Sequence, residues 1–300
     1  MIYDQIASNK RKSFVLVFFL SVVIIAACYF IGQAWMVNGG IVGIVIGAGI
    51  SVVLFLISYY SGDSVLLSSV GAKQVDPHSS SQLYNVVKEM SISSGCAVPK
   101  VFIVPDPSPN AFAAGRDPDH ASLAVNEGLL QLLNREELQG VVAHEMSHIQ
   151  NRDILYATIV AVMAGMVVLI ASFFRNTWFY SGSRRRNSEG GGSGGVMLIL
   201  GLVFALLAPI VAKLIQLAIS RQREYLADAS AAMMTRDPTG LASALRKLQQ
   251  VSVKPTTSND AVAPLYFIEP HLNFNAASLF STHPPIEDRI ARLEQMAYIK

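Results

Sequence analysis

Charge is what this chain has least of. Only 15% of its 300 residues are Asp, Glu, Lys or Arg, against a hydrophobic fraction of 52%. That balance is unlike a soluble domain, and much of the chain is expected in lipid. Cysteine is scarcer still, at two residues, Cys28 and Cys96. The first falls in an apolar run and the second in a polar segment, so they cannot pair, which excludes a disulfide framework and agrees with a reducing compartment. The net charge of +2 is too small to imply a nucleic-acid partner.

What the chain has in place of charge is long apolar runs. No charged residue occurs between Lys12 and Asp63, a length that holds two spans of about 20 residues each. Phe14 to Met36 and Ile41 to Tyr60 read as a hairpin with its turn at Val37 to Gly40. A cleavable leader is disfavoured, because the first run is too long, lacks a small-residue cleavage site and leads directly into the second. Two further runs, Ile154 to Phe174 and Val196 to Ile219, the latter interrupted by Lys213, predict a second hairpin. Between them lies a polar stretch with Arg184, Arg185, Arg186 and the Gly/Ser-rich segment Gly190 to Gly195, which reads as a flexible surface loop.

Lys10, Arg11 and Lys12 precede the first span, so the positive-inside rule places the segment after the second span in the cytoplasm. A spanning second hairpin would put Arg175 and Arg184 to Arg186 outside, against that rule. Either the first hairpin dominates the topology or the second is only partly inserted, and the sequence leaves both open. The expected organisation is a hairpin over 1–62, a first part of the cytoplasmic domain over 63–153, a second apolar hairpin over 154–219 with its polar loop at 175–195, and the rest of that domain over 220–300.

The polar parts carry ordinary folding signals. Ser79 or Ser80 can cap a helix with Leu83, Val86, Val87 and Met90 on one face, ending near Gly95. Val101 to Val104, Asn110 to Ala113 and Ser122 to Val125 predict short strands of a small sheet. Asn134 with Glu137 is a capping-box pattern that starts a helix at Arg135. No residue then stops it before Ile154, so this helix and the third apolar run are expected to form one rod. Helices are also predicted over Arg221 to Met234, after Asp237-Pro238, and after Pro284-Pro285 with Ile286, Ile290 and Leu293 inward. Pro255 to Phe280 has no clear pattern.

The chemistry is concentrated in His144-Glu145-Met146-Ser147-His148. Positions four apart on a helix lie one turn apart on one face, so His144 and His148 can address one ion, and an HExxH pair on a helix is a zinc-hydrolase signature. A catalytic zinc wants one more protein ligand and leaves its fourth position to water. Glu145 is the candidate general base for that water, whose pKa the ion lowers to about 7. Glu224 is favoured as third ligand over His271, His283 and Glu287. It lies about as far beyond the fourth apolar run as His148 lies before the third, so an antiparallel pair would bring the two to one height. Asp228, one turn on, suits a bond to a ligand histidine. His283 is a candidate for contact with substrate, and Arg289 for orienting a carboxylate.

Taken in order, Asn110-Ala111-Phe112-Ala113, the run HEMSHIQNRD from His144 to Asp153, Ser220 to Asp228 (SRQREYLAD), and Thr282-His283-Pro284-Pro285 with Arg289 resemble the HtpX-type membrane zinc metalloproteases, distant relatives of the CAAX prenyl proteases. The resemblance covers nearly the whole chain. It implies a mainly α integral membrane protein in which two transmembrane hairpins carry a zincin-like α+β domain with a small β-sheet. It further implies one Zn2+ per chain on His144, His148 and Glu224, catalysis by Glu145, and cleavage of misfolded or damaged membrane proteins at the cytoplasmic face of a bacterial inner membrane. Asn110, Ala111 and Phe112 resemble the edge strand on which zinc proteases hold substrate backbone, a use of β-augmentation. Expected partners are membrane-protein or unfolded polypeptide substrates and the bilayer, with self-association left open.

Three other readings remain at this point. A CAAX-type processing protease would share the metal site but needs more spans than this chain supplies. An intramembrane protease would need the HExxH within a hydrophobic span. A metal sensor, transporter or non-catalytic adaptor would bind metal without cutting, and transport predicts ligands inside the apolar runs, where Lys213 is the one ionisable residue.

Overall fold

The structure, a computed structural model, describes residues 2–79, 81–163, 165, 221–251, 265–268 and 284–298. It opens with a helical hairpin of α1 (Ile2–Trp35) and α2 (Gly39–Tyr60), turning through Asn38 in the left-handed region. Glycines set how closely these helices approach. A Cβ on Gly39 would collide with the Gly32 carbonyl, and one on Gly43 with the carbonyl of Cys28. This is the small-residue packing that joins helices where water supplies no driving force. The outer face presents Phe14, Phe18, Val22, Ile41, Val45 and Val52.

Among the described residues, Gly39–Tyr60 is the one helix long and apolar enough to cross a bilayer, while Val17–Gln33 and Asp153–Met163 are shorter apolar helices. Most of the expected second hairpin, its polar loop included, lies outside the described residues.

Short α3 (Gly62–Ser69) leads from the hairpin into a four-stranded mixed sheet of β1 (Lys73–Gln74), β2 (Lys100–Val104), β3 (Ala111–Gly115) and β4 (Ala121–Asn126) in the order β1-β2-β4-β3. β2 and β4 are parallel, β3 and β4 antiparallel, with Ala111 opposite Val125 and Gly115 opposite Ala121. Every residue of β3 and β4 is buried, and alternate side chains enter different cores. Ala111, Ala113, Leu123 and Val125 join the main core, built largely by the helices. Phe112, Ala114 and Ala124 face the other way, onto Leu66 and Leu67 of α3, Val70 just after it, and Ala161 and Val162 of α7 (Asp153–Met163).

The main core is enclosed by α4 (Gln82–Ser94), α5 (Glu127–Leu132), α6 (Arg135–Gln150), α8 (Arg221–Thr235), α9 (Pro238–Gln250) and α10 (Ile286–Ala297). The Ser81 side chain caps α4, accepting from Tyr84 N at 3.2 Å, one residue beyond the expected Ser79 or Ser80, and Gly95 closes the helix in the left-handed conformation. The α6 capping box is complete: Asn134 accepts from Glu137 N at 2.9 Å and Glu137 from Asn134 N at 2.9 Å. Glu137 also accepts from Ser243 and from Lys247 on α9, each at 2.7 Å. Burial alone would raise its pKa, but Lys247 and Ser243 outweigh burial and hold the carboxyl below its usual range. β1, α3 and α5 had no predicting signal; each is too short to show a period.

The expected continuous rod is wrong. α6 stops at Gln150, Asn151 lies near (−80°, 0°), Arg152 adopts φ 57°, and α7 begins afresh at Asp153. Asn151 holds the corner, its N–H donating to Ser147 O at 2.9 Å and its side-chain amide to Ser147 Oγ at 3.3 Å.

Gly140 decides how α6 and α9 cross, since a Cβ there would lie 2.8 Å from Leu241 N and 2.9 Å from Leu241 Cα, both backbone atoms that cannot step aside. Gly140→Ala is therefore expected to destabilise the domain by about 1–3 kcal/mol. Thermal unfolding in detergent checks this beside Gly49→Ala, whose Cβ meets nothing within 4 Å and is expected to leave the midpoint unchanged.

Candidate metal centre

One turn of α6 and one turn of α8 face each other across a buried space. His144 and His148 share a face of α6, with rings at 82° and centroids 4.8 Å apart. Their Nε2 atoms approach to 3.2 Å. From α8, Glu224 places one carboxylate oxygen 3.6 Å from His144 Nε2 and the other 3.6 Å from His148 Nε2. One ligand atom of each residue lies within 4.8 Å of the others. α8 comes this close because the residues it buries beside Glu224 and Asp228 are Ala227 and Ala231.

Each imidazole is held from behind by a carboxylate. His144 Nδ1 lies 2.9 Å from Asp228 Oδ1, and Asp228 is gripped by both arms of Arg289 on α10, through Nε at 2.8 Å and Nη2 at 2.7 Å. Burial alone would raise the Asp228 pKa, but the guanidinium and these hydrogen bonds take it down to about 2. Burial would likewise lower the Arg289 pKa, and Asp228 reverses this, so Arg289 stays charged although it is only 1% exposed. His148 Nδ1 lies 3.1 Å from Asp153 Oδ2, and Asp153 Oδ1 lies 3.5 Å from Arg223 Nη1. For His148, burial pulls the pKa down, but the bond to Asp153 and the charges of Glu224, Asp153 and Glu145 push it up to about 9.

With both Nδ1 positions turned to carboxylates, N–H belongs on that side and the Nε2 lone pairs point inward. Two imidazole nitrogens and a carboxylate converging in this way are a donor set that fits zinc, with ring orientation fixed by the groups behind. Glu145 lies at the same level, facing the sheet, where the Ala113 N–H donates to its carboxylate. Burial raises its pKa, the two histidines oppose that rise, and Glu224 adds to it, giving a carboxylate poised to accept a proton.

At the sheet edge, the Ala111 carbonyl and the Asn110 side chain are engaged by the chain's own residues 265–268. Ala111 O accepts from Phe267 N at 2.9 Å, and the Asn110 side chain donates to Ile268 O at 2.7 Å and accepts from Ile268 N at 3.1 Å. Phe112 points away from the metal centre, its ring 5.8 Å from that of Tyr266. Phe267 meets His144 edge-on at 4.8 Å and lies 4.7 Å beneath the Arg289 guanidinium.

The structure thus brings together His144, Glu145, His148, Glu224, Asp228 and Arg289, with Ala111 alongside. His283 lies outside the described residues. Sequence reasoning missed Asp153, Arg223 and Phe267. Phe267 sits in a stretch without periodicity, and Asp153 lies five residues beyond His148, a spacing that on a straight helix turns it away.

Comparison with known proteins agrees with this geometry. The profile of Peptidase family M48 matches residues 77–297. A protein described as "Protease HtpX homolog" from Caldanaerobacter subterraneus subsp. tengcongensis is 45% identical over 296 residues, covering 98% of each chain. One of the same description from Lactobacillus helveticus is 41% identical over 305 residues, covering 99% of this chain and all of that one. Among solved structures, Ste24p from S. mikatae has a similar fold, with a TM-score of 0.51 at 17% identity over 97% of this chain and 67% of that one. With a His-His-Glu group that could hold a metal beside a glutamate, and an apolar helix long enough to cross a bilayer, the chain belongs to peptidase family M48 and is a membrane metalloprotease.

Proposed function

We propose that this protein is a zinc-dependent endopeptidase with one Zn2+ per chain, held by His144, His148 and Glu224, that cuts misfolded or damaged membrane proteins at the cytoplasmic face of a bacterial inner membrane. The convergence of three ligand atoms with Glu145 beside them carries the reading. Zinc held there would act as a Lewis acid toward water and the scissile carbonyl. Glu145 would take the proton from the attacking water on a carboxylate oxygen and deliver it to the departing amine. Asp228 would keep a proton on Nδ1 of His144, leaving its Nε2 free to hold the ion.

Nearness to the bilayer is supported by the far end of β3. There the Arg116 guanidinium lies 5.9 Å from the Tyr59 ring and 5.4 Å from the Tyr60 ring, at the end of the helix that can span. Aromatic residues at a span's end favour the membrane interface. Lys10 to Lys12 support a cytoplasmic orientation, and a multi-pass arrangement follows if α1 and the later apolar runs also insert. The domain division at 62, 153 and 219 belongs to the same proposal. Among the described residues, the candidate ligands flank the apolar helices and do not line them, which argues against ion transport.

Zinc content and casein cleavage of detergent-purified protein test the reading. Wild type is expected to hold about one zinc and to cut. Glu224→Ala should lose both metal and activity, whereas Glu145→Gln should keep the metal with kcat lower by roughly 10²–10⁴-fold. A Glu224→Ala protein that binds and cuts normally would place the third ligand elsewhere, and a wild type without zinc or activity would favour a non-catalytic adaptor.

The raised His148 pKa gives a pH signature. In chelator-treated protein the protonated ring stabilises the fold fully below its unfolded pKa of about 6.5, and this contribution is lost as pH rises through about 9. The metal-loaded protein binds no proton there, so its stability should instead rise as pH passes about 6.5. Melting curves from pH 6 to 9 with and without zinc check for these opposite slopes.

A further inference from the structure

The support behind His148 was not foreseen and has an unusual construction. On a continuous helix, residues five apart lie about 140° apart around the axis, which would turn Asp153 away from His148. The chain instead leaves α6 after Gln150 and takes Arg152 through φ 57°, a conformation that L residues other than Asn and Asp rarely adopt. α7 then restarts with Asp153 as its first residue, and that corner returns the carboxylate to 3.1 Å from His148 Nδ1. The other oxygen of Asp153 lies 3.5 Å from Arg223 Nη1, and Arg223 in turn lies over the Tyr156 ring at 5.8 Å. His148 is therefore held by a carboxylate and a guanidinium as His144 is held by Asp228 and Arg289, but the carboxylate belongs to the first turn of the apolar helix α7.

We propose that Asp153 is a positioning residue of the metal centre. Its carboxylate accepts the Nδ1–H of His148 and fixes the ring with Nε2 toward the ion, and the corner at Arg152 is what places it there. This inference rests on the zinc reading above. Because α7 also pins β3, through Thr158 Oγ1 accepting from Gly115 N at 3.0 Å, Asp153 ties a metal ligand to the same helix that fixes the edge strand.

Zinc affinity, read by competition with a chromophoric chelator on the full detergent-purified chain, tests this without needing turnover. Asp153→Ala should bind zinc about 10–100-fold more weakly than wild type. Asp153→Asn should weaken it less, because the amide oxygen still accepts the Nδ1–H. Arg152→Gly, which keeps the corner, should bind as wild type does. At saturating zinc, with turnover normalised to the zinc-loaded folded fraction, Asp153→Ala should lower kcat on casein with KM changed less than about twofold. Zinc affinities of Asp153→Ala and Asp153→Asn within twofold of wild type, whatever their melting temperatures, would overturn the proposal. If Asp153→Ala does not fold, the near-isosteric Asp153→Leu, which cannot accept the Nδ1–H, decides in its place. A wild type that binds no zinc would overturn this inference together with the zinc reading, whereas tight binding by wild type and variants alike would overturn this inference only.

Discussion

Buried charge in need of a partner is the constraint on which this domain is built. His144, Glu145, Glu224, Asp228 and Arg289 are each at most 5% exposed, and Asp153 is 9% exposed. Uncompensated charges at that depth would cost several kcal/mol each, and the side chains around them are arranged to prevent it. Arg289 matches Asp228 and Arg223 faces Asp153, while Glu145 and Glu224 share one buried space with His144 and His148. The negative charge gathered there helps to raise the His148 pKa, and for Glu145 it adds to the larger effect of burial. A divalent cation among His144, His148 and Glu224 would offset that charge further, since it neutralises both carboxylates and lets His148 shed its proton. The electrostatic deficit and the ligand geometry thus point to the same kind of occupant.

Packing follows from that demand. Four elements must meet at one point: α6 with the histidines, α8 with Glu224 and Asp228, α10 with Arg289, and β3 with the Ala113 N–H. Close approach needs small side chains, and they stand where the elements touch, as Ala227 and Ala231 on α8, Gly140 where α6 crosses α9, and the alanines of β3. The sheet is small because its task is narrow. It offers one edge to the metal centre and is covered on one face by the helical core and on the other by α3 and α7.

The legible parts of the sequence were those in which a local pattern and the tertiary structure agree. Asn134 and Glu137 announced α6, Gly95 ended α4, Asp237-Pro238 began α9, and the four-residue spacing of His144 and His148 put both rings on one face. Glu224 was reached through an argument about chain length, although most of the hairpin that argument assumed lies outside the described residues. Phe267 and Ile268 were invisible because strand pairing at an edge is a long-range contact. Their partners, Ala111 and Asn110, lie more than 150 residues away, and three or four residues carry no period. The same contact bears on substrate. Tyr266 and Phe267 are each 2% exposed and enter opposite cores, so freeing Ala111 by lifting this segment would expose two aromatic side chains at about 1.5–3 kcal/mol each.

The corner after Gln150 shows why a local reading must fail at such a point. Nothing in Gln150-Asn151-Arg152-Asp153 forbids a helix, and continuing it would avoid placing Arg152 in the left-handed region, a strain of about 1–3 kcal/mol. Local energetics therefore favours the rod that the sequence suggested. The break gains an ionic hydrogen bond that Asp153 accepts from His148, an ion pair with Arg223 and an acidic residue at the start of α7. Hydrogen bonds to charged groups contribute roughly 1.5–3 kcal/mol each, so the first of these alone offsets the strain. Without the break, His148 would keep its place on α6 while losing the carboxylate behind it, and one of the two imidazoles would be free to turn. A strained arginine between two helices is thus tolerated because it places the carboxylate that holds His148, four residues before it.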